Sequence, residues 1–83
     1  MPASYLNDTI HRKSYHRVAQ LRATHGYTQK QVAEAINMSR DHLASIESGR
    51  CWMSTKSLVN LSRFYGVSTD YLLGLSDVRT RAA

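Results

Sequence analysis

Residues 28–49 read TQKQVAEAINMSRDHLASIESG, and the apolar residues of this run recur at helical spacing on both sides of Asn37-Met38-Ser39. These apolar residues are Val32, Ala33, Ile36, Leu43 and Ile46. A three-residue connection is too tight for an antiparallel helical hairpin and favours two short helices that cross near a right angle. We expect Ala33 to let the two helices approach closely and Met38 to fill the space between them.

Four helix starts carry the same signature, a small oxygen-bearing cap with an apolar residue directly before it and another four positions after it. The caps are Thr28, Ser39, Ser54 and Ser68. The flanking apolar pairs are Tyr27 with Val32, Met38 with Leu43, Met53 with Leu58, and Val67 with Leu72. Residues that tolerate the left-handed conformation mark the helix ends, namely Gly26, Asn37, Gly49, Gly66 and Gly74. The pattern predicts helices over residues 14–25, 28–36, 39–48, 54–65 and 68–73.

No segment alternates with the two-residue period of a strand, so the predicted fold class is all-α, a compact domain of five helices. The first and fourth helices are expected to bury Tyr15, Val18, Leu21, part of Arg22, Leu58, Leu61 and Phe64. A chain of 83 residues supports one domain. We place this domain at 14–76, after an N-terminal extension at 1–13 and before a C-terminal tail at 77–83. The extension is either a flexible, solvated segment or a helix, short or continuous with the first, to which Tyr5, Leu6 and Ile10 contribute.

The balance of charge favours a polyanionic partner. The formal net charge of +5 suits nucleic acid or an acidic membrane surface. No apolar stretch approaches the roughly 18 residues that cross a bilayer, and residues 1–13 lack the apolar centre of a secretory signal. The single cysteine, Cys51, excludes an internal disulfide and indicates a reducing compartment. We therefore expect a cytoplasmic protein that has no membrane partner.

The sequence shows no catalytic or metal-binding constellation. Its histidines are scattered and lack metal-ligand spacing to Cys51. They are His11, His16, His25 and His42. No serine stands in an activated-nucleophile motif such as G-x-S-x-G. We therefore predict that the protein is not an enzyme and has no cofactor and no metal site.

Four motifs resemble those of the phage-repressor and Cro-like helix-turn-helix family, also called the xenobiotic-response-element family. They are LR-x-x-x-G-Y-T-Q at 21–29, Q-x-x-x-A at 29–33, I-E-x-G at 46–49 and G-V-S-x-D-Y-L-L-G at 66–74. The resemblance runs from about Tyr15 to Leu75, some three-quarters of the chain. It implies a lambda-repressor-like domain that binds double-stranded DNA, with the helix at 39–48 in the major groove.

The resemblance also implies roles for particular residues. The DNA base-reading residues would be Arg40, Asp41, His42 and Ser45. The DNA backbone would be contacted by Gln29, Thr28, Ser39, Ser48, Arg50 and Lys56. Gln29 would in addition brace Arg40, and an ion pair between Arg22 and Glu47 would tie the first helix to the third.

Helix electrostatics supports two of these roles independently. Arg40 and Lys56 lie in the first turns of their helices, where the helix dipole disfavours a cation unless a phosphate or a guanine lies nearby. Arg40 could bind guanine, contact a phosphate or remain solvated. Asp41 could accept from cytosine, or repel phosphates and orient Arg40. His42 and Ser45 could also be passive.

The remaining polar and aromatic features leave alternatives open. The basic cluster at 11–13 is either a solvated end of the chain or an arm that touches the DNA backbone. Relatives commonly carry a lysine-rich or proline-containing loop where this chain has Cys51 and Trp52. Trp52 is expected to cover the edge of the core, and a role in an interface is the alternative.

The resulting hypothesis is a prokaryotic or phage transcriptional regulator, a repressor, associated with the nucleoid in the cytoplasm. One recognition helix covers about half of a palindromic operator, so a homodimer is expected. The predicted dimer interface consists of Tyr71, Leu72, Leu75 and Val78. The alternative function is an antitoxin that binds a toxin protein and also represses its own operator.

Overall fold

The computed structural model describes the backbone of residues 3–79 and the side chains of residues 8–79. Within this part of the chain, five α-helices and no β-strand are present, which confirms the all-α class. The helices are α1 (Ala3–His25), α2 (Gln29–Ala35), α3 (Arg40–Glu47), α4 (Thr55–Tyr65) and α5 (Thr69–Leu72). Helix α3 packs against α2 and α1, and α5 packs against α1 and α4.

The predicted caps form at all four sites. In each case the side-chain oxygen of the cap accepts a hydrogen bond from the backbone N–H three residues further on. At Thr28 the bond is reciprocal, because the Gln31 side chain also accepts from the Thr28 N–H at 2.8 Å. These bonds satisfy N–H groups that have no partner within their helix, which explains why the starts could be located locally.

The predicted helix ends have the left-handed backbone that they require. Asn37, in the turn between α2 and α3, has a φ of 56° and is the only described residue other than glycine with a positive φ. At Gly49, after α3, the φ is 83°, and an added Cβ would lie 2.6 Å from Cε2 of Tyr15. Gly49 is therefore required both by its backbone conformation and by the close approach of α1.

The first helix is much longer than predicted. The pattern placed its start near Ser14 and left a helix continuous with it as one alternative for the extension; α1 spans Ala3–His25 without a break, so the described part of the extension follows that alternative. Tertiary contacts account for the extension, since the ring of His11 stacks on Trp52 with centroids 4.2 Å apart. The Cβ of Lys13 also packs against Gly74, where an added Cβ would lie 2.8 Å away. The side chains of Tyr5 and Leu6, which favoured a helix here, lie outside the described residues.

The core gathers one apolar face from each helix. Its buried residues are Val18, Leu21, Val32, Ala33, Ile36, Leu43, Ile46, Leu61, Val67, Tyr71 and Leu72. The prediction that Phe64 is buried in the core was wrong, since this residue is 37% exposed. Its ring lies at the edge of the core against Tyr27, with centroids 5.5 Å apart. The inward face of α4 is formed instead by Leu61, by the half-buried Leu58 and by two buried serines, Ser57 and Ser62.

The predicted dimer interface is divided by the fold. Tyr71 is 7% exposed and Leu72 is fully buried, so neither side chain is accessible to a second chain. This assignment was wrong because α5 turns both residues into the core of its own chain. Leu75 and Val78 are exposed, at 59% and 64% respectively.

The described part of the C-terminal tail is docked on α1. Nη1 of Arg17 donates to the carbonyl oxygens of Tyr71 at 2.7 Å and of Ser76 at 2.6 Å. Arg17 also forms an ion pair with Asp77, and its hydrogen bond is the main reason that the pKa of this carboxyl is lowered. The Ser68 N–H donates to the Arg79 carbonyl oxygen at 2.8 Å. Residues 77–79 are thus held to the domain, whereas 80–83 lie outside the described residues.

Candidate nucleic-acid interface

Helix α3 has one buried face and one polar face. Leu43 and Ile46 are almost completely buried and anchor the helix in the core. On the opposite side, Arg40, Asp41 and His42 are exposed, while Ser45 is half-buried. The buried anchors fix the orientation of the helix, so the polar side chains are presented to solvent from a rigid scaffold.

Arg40 is the first residue of α3, directly after the Ser39 cap. Among the described residues, neither Arg40 nor Asp41 has a hydrogen-bond or ion-pair partner, so Asp41 does not orient Arg40 within this chain. Arg40 therefore stands in the first turn of α3, at the positive end of the helix dipole, and forms no ion pair with the neighbouring Asp41. Such a position suits a guanidinium whose partner lies outside the chain, such as a phosphate or a guanine edge.

Glu47, at the end of α3, accepts hydrogen bonds from two other helices. Nε and Nη2 of Arg22 donate to Oε2 at 2.8 Å and to Oε1 at 3.0 Å, so the predicted ion pair is present. The Glu47 side chain is only 6% exposed, and its hydrogen bond to Arg22 raises the pKa of the guanidinium. Paired in this bidentate manner, the two side chains hold α3 in register with α1.

The predicted position of Gln29 needs correction. The resemblance implied that this side chain braces Arg40, but its Nε2 donates to Oε1 of Glu47 at 3.1 Å. Arg40 has donors only, so it could bond only to Oε1 of Gln29, and no such bond is present among the described residues. The bond to Glu47 uses one of the two N–H groups of this amide, so the second N–H is still available to a phosphate.

Tyr65 lies beside the Arg22–Glu47 pair and has a perturbed hydroxyl. Burial, reinforced by the charge of Glu47, raises the pKa of Tyr65 to about 12. Its hydroxyl oxygen is buried and has no hydrogen-bond partner among the described residues. The phenol is therefore disfavoured as a phenolate in the folded chain.

This shift predicts a loss of stability in alkali. The phenol binds its proton more tightly in the folded chain than in the unfolded chain, so the bound proton stabilises the fold. This contribution to the free energy of unfolding is complete below the unfolded pKa of about 10 and is lost as the pH rises towards about 12. We expect the free energy of unfolding to fall more steeply over this window in the natural chain than in Tyr65→Phe. Denaturant titrations over a pH series measure the difference, and equal slopes would contradict the assignment.

The residues expected to contact the DNA backbone differ in what they have left to donate. The Thr28 N–H is occupied by Gln31, which leaves only the hydroxyl proton, and the Ser48 hydroxyl already donates to the Ser45 carbonyl oxygen at 3.2 Å. Arg50 and Lys56 are exposed cations without a partner among the described residues. Of these groups, the two cations have the strongest capacity to contact a phosphate.

A polar cleft of about 250 Å³ separates the turn before α3 from the start of α4. His42 and Lys56 line it from opposite sides, and the caps Ser39 and Ser54 lie at its edges. The fold thus brings together residues that were assigned separately to base reading and to backbone contact. Ser39 retains a hydroxyl proton, since its oxygen accepts from the His42 N–H.

Sequence inspection missed the support beneath the loop that follows α3. His11 stacks on Trp52, and Tyr15 packs against Gly49 and against the edge of His11. The available signal was the spacing of His11 and Tyr15, which places both rings on one face of a helix. This spacing could predict the contact only if the first helix was known to begin before residue 11.

The described residues offer neither a metal site nor a membrane span. No group of three or more histidine, cysteine, aspartate or glutamate side chains is placed to hold a metal ion. In the same part of the chain, no helix combines the length and the apolar character needed to cross a membrane.

Comparison with known proteins gives a consistent result. The HTH_3 family model, described as helix-turn-helix, matches residues 18–72. The chain is 42% identical over 62 residues to the HTH-type transcriptional regulator ImmR of Bacillus subtilis strain 168, a match that covers 75% of this chain and 49% of ImmR. It is 39% identical over 61 residues to the HTH-type transcriptional regulator YobD of the same organism, covering 74% of this chain and 54% of YobD.

A third relative is the HTH-type transcriptional activator BcrR of Enterococcus faecalis, at 35% identity over 66 residues, or 80% of this chain and 32% of BcrR. No solved structure gives a significant match. The chain spans about half the length of ImmR and of YobD. The family model covers more than half of the chain, from the middle of α1 to the end of α5, and the region includes both α2 and α3. The chain therefore belongs to the Cro/C1-type helix-turn-helix family.

Proposed function

We propose that this chain is a sequence-specific DNA-binding transcriptional regulator that reads the major groove with α3. The observation that carries the proposal is the polar face of α3, where Arg40, Asp41 and His42 are exposed on a helix whose other face is buried. A helix of this width fits the major groove, and arginine can donate two hydrogen bonds to guanine. The ImmR, YobD and BcrR proteins, all named as transcriptional regulators or activators, support the same role.

The charges around α3 support a DNA partner over a membrane surface. Arg40, Arg50 and Lys56 are exposed and unpaired among the described residues, and they flank the recognition helix at its start and beyond its end. Glu47, the acidic residue at the end of α3, is neutralised by Arg22. Cations spaced along both ends of one exposed helix suit the two phosphate backbones that border a groove.

We propose repression as the mode of action, because a domain bound over a promoter blocks access to it without contacting another protein. The proposal includes two sets of contacts to DNA. Base reading is assigned to Arg40, Asp41, His42 and Ser45. Backbone contact is assigned to Gln29, Thr28, Ser39, Ser48, Arg50 and Lys56. It assigns the protein to the cytoplasm, on the nucleoid, and gives it no catalytic activity.

Selection of binding sequences from a randomised duplex pool tests the proposal. We expect a motif with two-fold symmetry, because one recognition helix reads only half of a palindromic site. A motif without symmetry would contradict the dimer. If the recovered sequences share no motif, DNA affinity arises from charge alone and the proposed specificity is wrong.

We further propose a homodimer whose interface includes Leu75 and Val78. Two apolar side chains that are exposed and three residues apart in the sequence suit burial against the same residues of a second copy. Leu72→Asp cannot test the interface, because an unpaired carboxylate at this buried position would disrupt the core of the chain itself.

Leu75→Asp should therefore convert the dimer to a monomer, since an interface with a buried unpaired carboxylate is strongly disfavoured. Light scattering measures the mass. Val59→Asp is the matched control, because Val59 is 38% exposed on α4 and lies outside the proposed interface. A natural chain that is already monomeric, or an unchanged dimer in Leu75→Asp, would exclude this surface.

A further inference from the structure

Trp52 is the only tryptophan of the chain and lies in the loop between the recognition helix and α4. Arg50 precedes it by two residues and Lys56 follows it by four, so it lies between two exposed cations that the proposed function places near phosphates. Its side chain is 46% exposed, although indole is among the most costly groups to leave in water. Its place in the loop therefore suggests a partner outside the chain.

The loop is held in position from two sides. The carbonyl oxygen of Ser45 accepts from the Arg50 N–H at 2.9 Å and from the Cys51 N–H at 3.4 Å, which fixes the start of the loop on α3. On the other side, the His11 ring stacks on Trp52 at an interplanar angle of 15°. His11 is supported in turn by the ring of Tyr15, with centroids 5.3 Å apart.

The His11 ring acts here through its face rather than through a hydrogen bond. Its Nε2 is buried and has no hydrogen-bond partner among the described residues. One face of the indole is consequently covered while the rest of the group remains accessible. A side chain ordered in this way loses little rotamer freedom when it binds.

The indole has one polar group, its Nε1–H, which can donate but cannot accept. No acceptor among the described residues bonds to this N–H. An N–H without an acceptor, on an ordered side chain in the loop that carries Arg50 and leads to Lys56, suits an anionic oxygen. The side chain also offers apolar area that a deoxyribose can cover.

We propose that Trp52, positioned by His11, donates its indole N–H to a phosphate of the DNA backbone next to the end of α3. This inference rests on the proposed DNA-binding function and extends it to a residue outside the family motifs. The N-terminal extension of α1 then has a role in binding, because it carries the ring that orders Trp52. Since a phosphate carries no base identity, the contact adds affinity to every duplex alike.

Intrinsic fluorescence tests the contact directly, because Trp52 is the only indole. The full chain is titrated with a mixed-sequence duplex at low ionic strength, where backbone contacts dominate binding. A mobility-shift assay on the same samples reports complex formation. We expect the emission to change in step with complex formation and the accessibility of the indole to acrylamide to fall.

Two variants separate the N–H from its support. Trp52→Phe keeps an aromatic ring but removes the donor, and it should weaken binding about two- to tenfold on any duplex. The salt dependence should not change, because a neutral donor releases no counterion. His11→Ala should give a similar loss together with greater acrylamide quenching of the free protein. His16→Ala is the matched control, since His16 lies on α1 but contacts Tyr15 and not Trp52.

The outcomes distinguish this inference from the proposed function. If the complex forms while the emission and the quenching of Trp52 stay constant, the contact is excluded and the DNA-binding function stands. Equal affinities for Trp52→Phe and the natural chain exclude the N–H in the same way. If the natural chain binds no duplex at all, the proposed function fails and the Trp52 contact fails with it.

Discussion

Replacing Arg40 by alanine should weaken binding to the best selected duplex by about tenfold to a hundredfold more than binding to random DNA. The guanidinium lies exposed at the start of α3 and has no partner among the described residues, so its removal disturbs no contact within this part of the chain. Paired affinity measurements on the two duplexes give the difference. A loss of the same size on both would assign Arg40 to the backbone and remove it from base reading.

Lys56→Ala is the matched control for Arg40, because both residues are exposed cations in the first turn of a helix. As a phosphate contact, Lys56 should affect both duplexes equally. Its loss should also make the dependence of binding on salt shallower by about one unit. An unchanged salt dependence would exclude Lys56 from the DNA interface.

Replacing Leu72 by alanine should destabilise the domain by about 2–5 kcal/mol, because a fully buried leucine leaves a cavity that the core cannot completely refill. Small domains have total stabilities of roughly 5–15 kcal/mol, so this single change would remove a large fraction. Denaturant unfolding followed by circular dichroism measures the loss.

Leu75→Ala, only three residues away, should change the stability by no more than about 0.5 kcal/mol, because Leu75 is 59% exposed. Measurements in dilute protein keep self-association from contributing to either value. Similar losses in the two variants would mean that α5 does not bury Leu72 as described.

The starts of α2 to α5 and the helix ends were the most predictable features. The caps at Thr28, Ser39, Ser54 and Ser68 bond to groups three residues away, and the left-handed residues close their own helices. Such bonds depend on neighbours in sequence, and for that reason their residue types can be recognised without a structure. The same is true of the polar face of α3, which follows from helical periodicity once its ends are known.

Partners far apart in sequence were predictable only where a family motif carries both members. Arg22 and Glu47 were paired in advance because both belong to motifs of the helix-turn-helix family, and the structure contains this pair. Gln29 belongs to a motif as well, yet its partner is Glu47 rather than Arg40. Motif membership indicated the neighbourhood of Gln29, but the folded chain was needed to show that its amide donates to Glu47. The roles of these residues toward DNA stay predictions.

Hydrophobic patterning and capping residues were sufficient to define an all-α domain, the starts of α2 to α5 and the exposed face of α3, because these properties depend on contacts within a few residues. Other features could be known only from the tertiary structure. They are the length of α1, the burial of Tyr71 and Leu72, the exposure of Phe64 and the stack of His11 on Trp52. Each depends on which surface of another helix or loop covers a given side chain. An apolar residue in the sequence indicates that burial is favourable, but the packing of distant segments determines which of these residues are covered.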